Sequence, residues 1–454
     1  MKRASLLLAA LLLAGTALPA HAADAADTPA TSPSGDFAVT GATIAIGDGS
    51  APISGGAVLV RGGKIVAAGS DVAIPAGIPV IDGTGKWVTP GLVTAMTDLG
   101  LVDVGAVDES NDSYGGTARF SAGLDVSLAI DNDAPPVAVS RAGGITRAGV
   151  APVAANAIFA GQGAVIDLAQ NGPGTVQPRA FQLVELGERG ADLAGGSRVA
   201  AQALLRNALR EARELSQHKP GKDSKNAAAA EPAQPGDALL TRVDAAALIP
   251  VVAGKQPLFV HVERAADIRS LLALGREFPA LRLVIVGAGE GWRVANEIAA
   301  AKVPVLASAL ADLPGTFETL AATQSNVGRM TAAGVKVALG SFYDNDQPRY
   351  APQFAGNLVG LSRVPGATGL SWGQALAAIT SIPADILGQG AVFGSLKPGL
   401  AADLVLWDGD PLELSSAPVT IFIDGRPQSL VNHQSRLRQR YRHPGEEGLP
   451  KAYE

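Results

Sequence analysis

The chain has 454 residues, 47% of them hydrophobic and 17% charged, enough for one large domain with a buried core and a smaller domain beside it. Its formal net charge of −6 disfavours nucleic acid and anionic lipid surfaces as partners. It contains no cysteine, which excludes disulfides, thiolate metal sites and cysteine nucleophiles.

The first segment reads as an export leader. Lys2 and Arg3 precede an apolar run from Leu6 to Leu18, and Ala20-His21-Ala22 is a small-x-small cleavage signal. Residues 1–22 are therefore expected to be a signal peptide cleaved after Ala22, leaving a periplasmic or secreted chain. The apolar run is shorter than the roughly 20 residues of a membrane span, and no later segment is long and apolar enough, so no span is expected. The leader removes two of the 36 cations and none of the 42 anions, so the mature chain carries a net charge of −8. Residues 23–36 are rich in Ala, Thr, Ser and Pro and read as a flexible tether.

Residues 37–89 read as the first part of a small β-domain. Phe37 to Ile46 alternates β-branched residues, and Ala57–Val60 and Lys64–Ala68 flank Arg61-Gly62-Gly63 as a hairpin. From Pro90 to residue 390 the rhythm is strand, then helix. Strands are expected at Gly144–Val150, Ala164–Leu168, Leu258–Val262, Leu283–Val286, Val303–Leu306 and Val335–Leu339. Helices are expected at Arg198–Gln217, Ala265–Phe278 and Trp292–Ala301, with a last one from Trp372. This alternation predicts parallel βα units and an α/β fold, a (β/α)8 TIM-like barrel. Residues 216–236 are polar and Pro-broken and read as a solvated insertion. Residues 391–428 return to β-structure and are expected to pair with the first β part as one small β-sandwich. In the tail, 429–454, the basic stretch Arg436 to Arg442 reads as a surface helix end, or as a contact for an acidic partner or another subunit.

Four segments, in order, carry a resemblance. They are Asp82-Gly-Thr-Gly-Lys-Trp-Val-Thr-Pro-Gly-Leu-Val-Thr-Ala95, Thr380-Ser-Ile-Pro-Ala-Asp-Ile-Leu-Gly388, Gly394-Ser-Leu-Lys-Pro-Gly-Leu-Ala-Ala-Asp-Leu-Val-Leu-Trp-Asp408, and Val419 to Arg426. Together they resemble the amidohydrolase superfamily, in its imidazolonepropionase-like branch, over about Phe37 to Gln428. The resemblance implies hydrolysis of amide-type C–N bonds, often cyclic, by water activated on one or two divalent metals such as zinc. It also implies ligands: two histidines one residue apart after the first strand, a histidine on strand five, another on strand six, and an aspartate on strand eight.

Those positions hold Met96 and Asp98, His261, Gly287, and Phe342. A thioether is a poor ligand for such ions, and glycine offers no side chain. Realignment does not restore the pair. The five histidines are His21, His218, His261, His433 and His443, and no two are one residue apart. His261 and Asp344 are the candidate catalytic residues. Asp98, His261 and Glu290 are candidate ligand-binding residues at the barrel mouth. A cluster of Asp98, His261, Glu290 and Asp344 would be a weak metal site, and no cofactor is firmly expected. The acidic segment Asp103 to Asp112 follows the first barrel strand and reads as a solvated loop or a ligand surface at the mouth.

Two functions follow. One is an exported C–N hydrolase with an atypical metal site. The other is an inactive relative that binds a small molecule, self-associates, or pairs with an intact paralogue as a structural subunit.

Overall fold

The structure is a computed structural model and describes residues 35–217, 238–340 and 348–442. The signal peptide, residues 23–34 of the tether, positions 218–236 of the insertion, Phe342, Asp344 and residues 443–454 of the tail lie outside the described residues. No helix among the described residues is long and apolar enough to cross a membrane.

The N-terminal strands are β1 (Phe37–Ile44), β2 (Ile53–Arg61), β3 (Lys64–Gly69), β4 (Val80–Asp82) and β5 (Trp87–Pro90). Then come β6 (Leu92–Thr97), β7 (Ile145–Val150), β8 (Phe159–Asp167), β9 (Thr175–Glu185), β10 (Leu258–Val262), β11 (Leu283–Gly287), β12 (Val305–Ala307) and β13 (Val337–Leu339). The last are β14 (Leu404–Trp407), β15 (Pro418–Ile423) and β16 (Arg426–Gln428). Among the described residues they form two eight-stranded sheets.

The first sheet runs β16-β15-β14-β5-β1-β2-β3, with β4 also paired to β1. The β14–β5 pairing joins the C-terminal strands to the N-terminal ones. Phe37 of β1 stacks on Phe422 of β15 at 4.4 Å, although β5 and β14 lie between their strands. The sheet therefore curls until its apolar face meets itself around Val39, Val58, Val88 and Leu404. The expected sandwich is made from one continuous curled sheet.

The second sheet runs in chain order from β6 to β13 and forms the barrel. Alternation divides each strand between two apolar cores. Phe181, Leu183, Phe259, Val284 and Leu306 fill the barrel interior, while Val184, Leu258, Val260, Ile285 and Val305 face the helices. The expectation of parallel units fails at one strand. β8 pairs antiparallel with both β7 and β9. Only residues 151–158 and 168–174 connect these strands, less than the dozen or so residues a parallel crossover requires. Closure is made outside the strands: Leu339 donates its N–H to the Ala378 carbonyl (3.0 Å), and Val93 donates to that of Ile379 (2.9 Å). The segment before the helix Ser381–Ile386 thus bridges β13 to β6.

Two features fix the barrel against the curled sheet. At Gly91 a Cβ would lie 2.1 Å from Thr146 Oγ1, so the Pro90-Gly91 lead-in permits an approach that no side chain would. Arg147 of β7 is buried and donates from Nε to Asp403 (2.7 Å) and from Nη2 to Asp403 and Asp424 (3.1 and 2.9 Å), with Asp167 at 3.7 Å. Burial alone would lower its pKa, but Asp403 and Asp424 outweigh that and raise it. Substituting Arg147→Met leaves buried carboxylates without a counter-ion. The expected loss is about 3–5 kcal/mol of unfolding free energy, read by urea denaturation; an unchanged midpoint would show that the pairing contributes nothing net.

Candidate functional site

The site lies where the inward-facing residues of β9 and β10 reach the C-terminal end of the barrel. Phe181, Leu183 and Glu185 follow one another on β9, and Phe259, His261 and then Glu263 on and just beyond β10. The Phe181 and Phe259 rings stack at 4.3 Å and form the apolar floor. Above them the strand register puts His261 directly beside Glu185.

His261 donates from Nδ1 to Glu185 Oε2 at 2.6 Å and from Nε2 to Glu263 Oε1 at 3.0 Å. A ring that donates on both sides is the protonated form of the imidazole. Burial alone would push the imidazole pKa down. The charges of Glu185 and Glu263 and their hydrogen bonds outweigh it and hold His261 well above its usual value. The His261 side chain is 25% exposed, so it faces the mouth rather than the sealed core.

Glu263 is held at both oxygens. Its Oε2 accepts the N–H of Gly289 at 2.5 Å. Gly287 sits at φ +90°, and a Cβ there would meet Glu263 Oε1 at 2.3 Å. The carboxylate of Glu263 thus fills the volume into which a side chain at position 287 would project.

The remaining candidates are placed as follows. Met96 is buried in the barrel interior with Val93, Ala95 and Phe259. Asp98 lies just beyond β6 and is half-buried. Glu290 is buried and accepts the N–H of Ala265 (3.1 Å) and of Ala321 (3.2 Å), tacking the helix Ala265–Glu277 to the loop after β12. From that loop Glu318 accepts the N–H of Glu188 at 2.7 Å and a hydrogen bond from Arg198 at 3.2 Å. Its carboxyl is pushed up by burial, against the opposing pull of those donors and of His261. Among the described residues, no group of three His, Asp or Glu side chains is arranged to hold a metal ion.

Sequence reading found His261 but gave no role to Glu185, Glu263 or Glu318. Glu263 was legible in principle, since alternation puts it on the face of His261. Glu185 needed the β9–β10 register, and Glu318 the path of a long loop.

Residues 285–427 match the family described as Amidohydrolase family. Amidohydrolase tasK of Hapsidospora irregularis is 50% identical over 60 residues, 13% of this chain and 6% of that protein. The imidazolonepropionase of Chromobacterium violaceum is 37% identical over 105 residues, 23% of this chain and 24% of that protein. The matched parts thus span well under a third of these curated relatives. The solved structure of an amidohydrolase from Thermotoga maritima superposes with a TM-score of 0.74 at 24% identity, covering 86% of this chain and 99% of that one. The matched segment carries the last barrel strands and the return to the curled sheet, and the fold likeness extends over the rest. The chain resembles the amidohydrolase superfamily, in sequence over residues 285–427 and in fold over most of its length.

Proposed function

We propose that this chain is an exported amidohydrolase-superfamily barrel that works without a catalytic metal, binding a small molecule at the mouth or serving as a subunit beside an active homologue. The observation that carries this reading is the carboxylate of Glu263 in front of Gly287. The position implied for the strand-six ligand has no side chain, and the space for one is taken. The rest of the described constellation agrees. Met96 is packed in an apolar core, and both oxygens of Glu290 are occupied by main-chain donors. These residues do not fit the family's metal.

One observation favours a C–N hydrolase with a reorganised site instead. The His261–Glu185 pair keeps an imidazole and a carboxylate together at the mouth, the materials of acid–base chemistry. Elemental analysis of protein purified without chelator separates the two readings. Substoichiometric metal is expected, with no turnover of dipeptides, hydantoins or lactams. Stoichiometric zinc or manganese accompanied by turnover would overturn the proposal.

Protonation gives a second test. The pairing that raises the His261 pKa contributes fully below the ordinary value of about 6.5 and is lost as pH rises through the raised folded value. The stability gap between the wild type and E185Q is therefore expected to be widest on the acid side and to close as pH rises. NMR should find an imidazolium in the wild type near neutral pH, and E185Q/E263Q should return His261 toward its ordinary titration. A neutral ring in the wild type at about pH 7 would contradict the arrangement.

The leader at residues 1–22 supports export. Terminal sequencing of the expressed protein is expected to begin at Ala23 in a periplasmic or secreted fraction; retention of Met1 in the cytoplasm would remove that part alone.

A further inference from the structure

The helix His433–Arg442 poses a stability problem. Ten of its residues are described, and none of them is buried. Packing usually supplies most of a helix's stability, and the described part of this one gains little from burial. This one is well started. Asn432 accepts the N–H of Ser435 at 3.0 Å as a cap, and Gln434 accepts a hydrogen bond from Arg349 at 2.6 Å. Its later turns display a pattern suited to a partner. Leu437 and Tyr441, four residues apart, share one face and are 44% and 58% exposed. Arg436 flanks that stripe on one side and Arg438 on the other, while Arg440 and Arg442 already hold contacts within the chain.

The loop after β6 is its chemical complement. Asp103, Asp108, Glu109 and Asp112 are exposed and form no ion pair among the described residues. Between them Val104 and Val107 are 55% and 42% exposed. An acidic loop with two exposed valines thus matches a basic helix with one leucine and one tyrosine, in charge and in apolar content.

We propose that the helix His433–Arg442 docks on the acidic loop 103–112 of a second copy of this chain. Each contact sets opposite charges around a small apolar centre, the arrangement of a salt-sensitive, specific interface. A lipid surface is the other chemistry that a basic helix fits. Two apolar side chains are too few to anchor a helix in a bilayer interface, which relies on a broad apolar face. The proposal does not depend on whether the barrel hydrolyses anything.

Sedimentation velocity of the full mature chain tests it. Self-association is expected at about 50 mM salt and dissociation at about 0.5 M, since such pairs are screened. R436E/R438E and D108K/E109K, each with a wild-type circular dichroism spectrum, should each run as monomers at low salt. The combined variant R436E/R438E/D108K/E109K should associate again, because the reversed charges match. A monomeric wild type at low salt, association undisturbed by R436E/R438E, or no recovery in the combined variant would each overturn the proposal. So would cosedimentation of a monomeric wild type with phosphatidylglycerol vesicles, which would assign the helix to lipid.

Discussion

Arg147 stands on a barrel strand and bonds to carboxylates from two turns of the curled sheet, Asp403 before β14 and Asp424 after β15. The main-chain oxygen of Asp403 also accepts the N–H of Gly91, at the start of the first barrel strand (2.8 Å). One buried ion cluster thereby fixes the first strand, the second strand and the end of the chain relative to each other. A desolvated guanidinium is costly to bury, and only carboxylates placed on several sides offset that cost. The barrel and the curled sheet are therefore held in one geometry, and the register of the barrel strands carries that geometry up to the mouth.

At the mouth the same alternation that packs phenylalanines below places charge above. His261 is inward-facing because Phe259 is, and Glu185 stands beside it because Leu183 pairs with Phe259. A carboxylate on each side holds the His261 pKa well above its usual value, against the effect of burial. The Glu263 carboxylate also occupies the space in front of Gly287. The acidic character of this end is organised: Glu290 and Glu318 both receive main-chain N–H groups and fasten the loop after β12 across the opening.

The sequence disclosed the parts of this molecule that depend on local pattern. Strand–helix alternation and the four ordered segments pointed to the barrel, and alternation along β10 put His261 on its inner face. What it withheld depends on pairing between distant segments. The reversal of β8 is visible only through the short connections on either side of it, since a buried strand is apolar whichever way it runs. The curl of the first sheet rests on a contact between Phe37 and Phe422, nearly the whole chain apart. Glu185 became a partner of His261 through register, which no periodicity encodes. Asp98 and Glu290 had the right chemistry for a mouth, but Glu290 is consumed in holding loops together.

The join between β13 and β6 is made by the carbonyls of Ala378 and Ile379 rather than by a strand ladder. In mechanical terms the barrel is a rolled sheet with a fastened seam, not a hoop. Among the described residues two main-chain hydrogen bonds resist separation there, where other neighbouring strands share a ladder. The seam runs from Val93, near the start of the first barrel strand, to Leu339, at the end of the last. In hydrogen exchange, the amides of Val93 and Leu339 would then report the earliest opening of an otherwise slowly exchanging barrel.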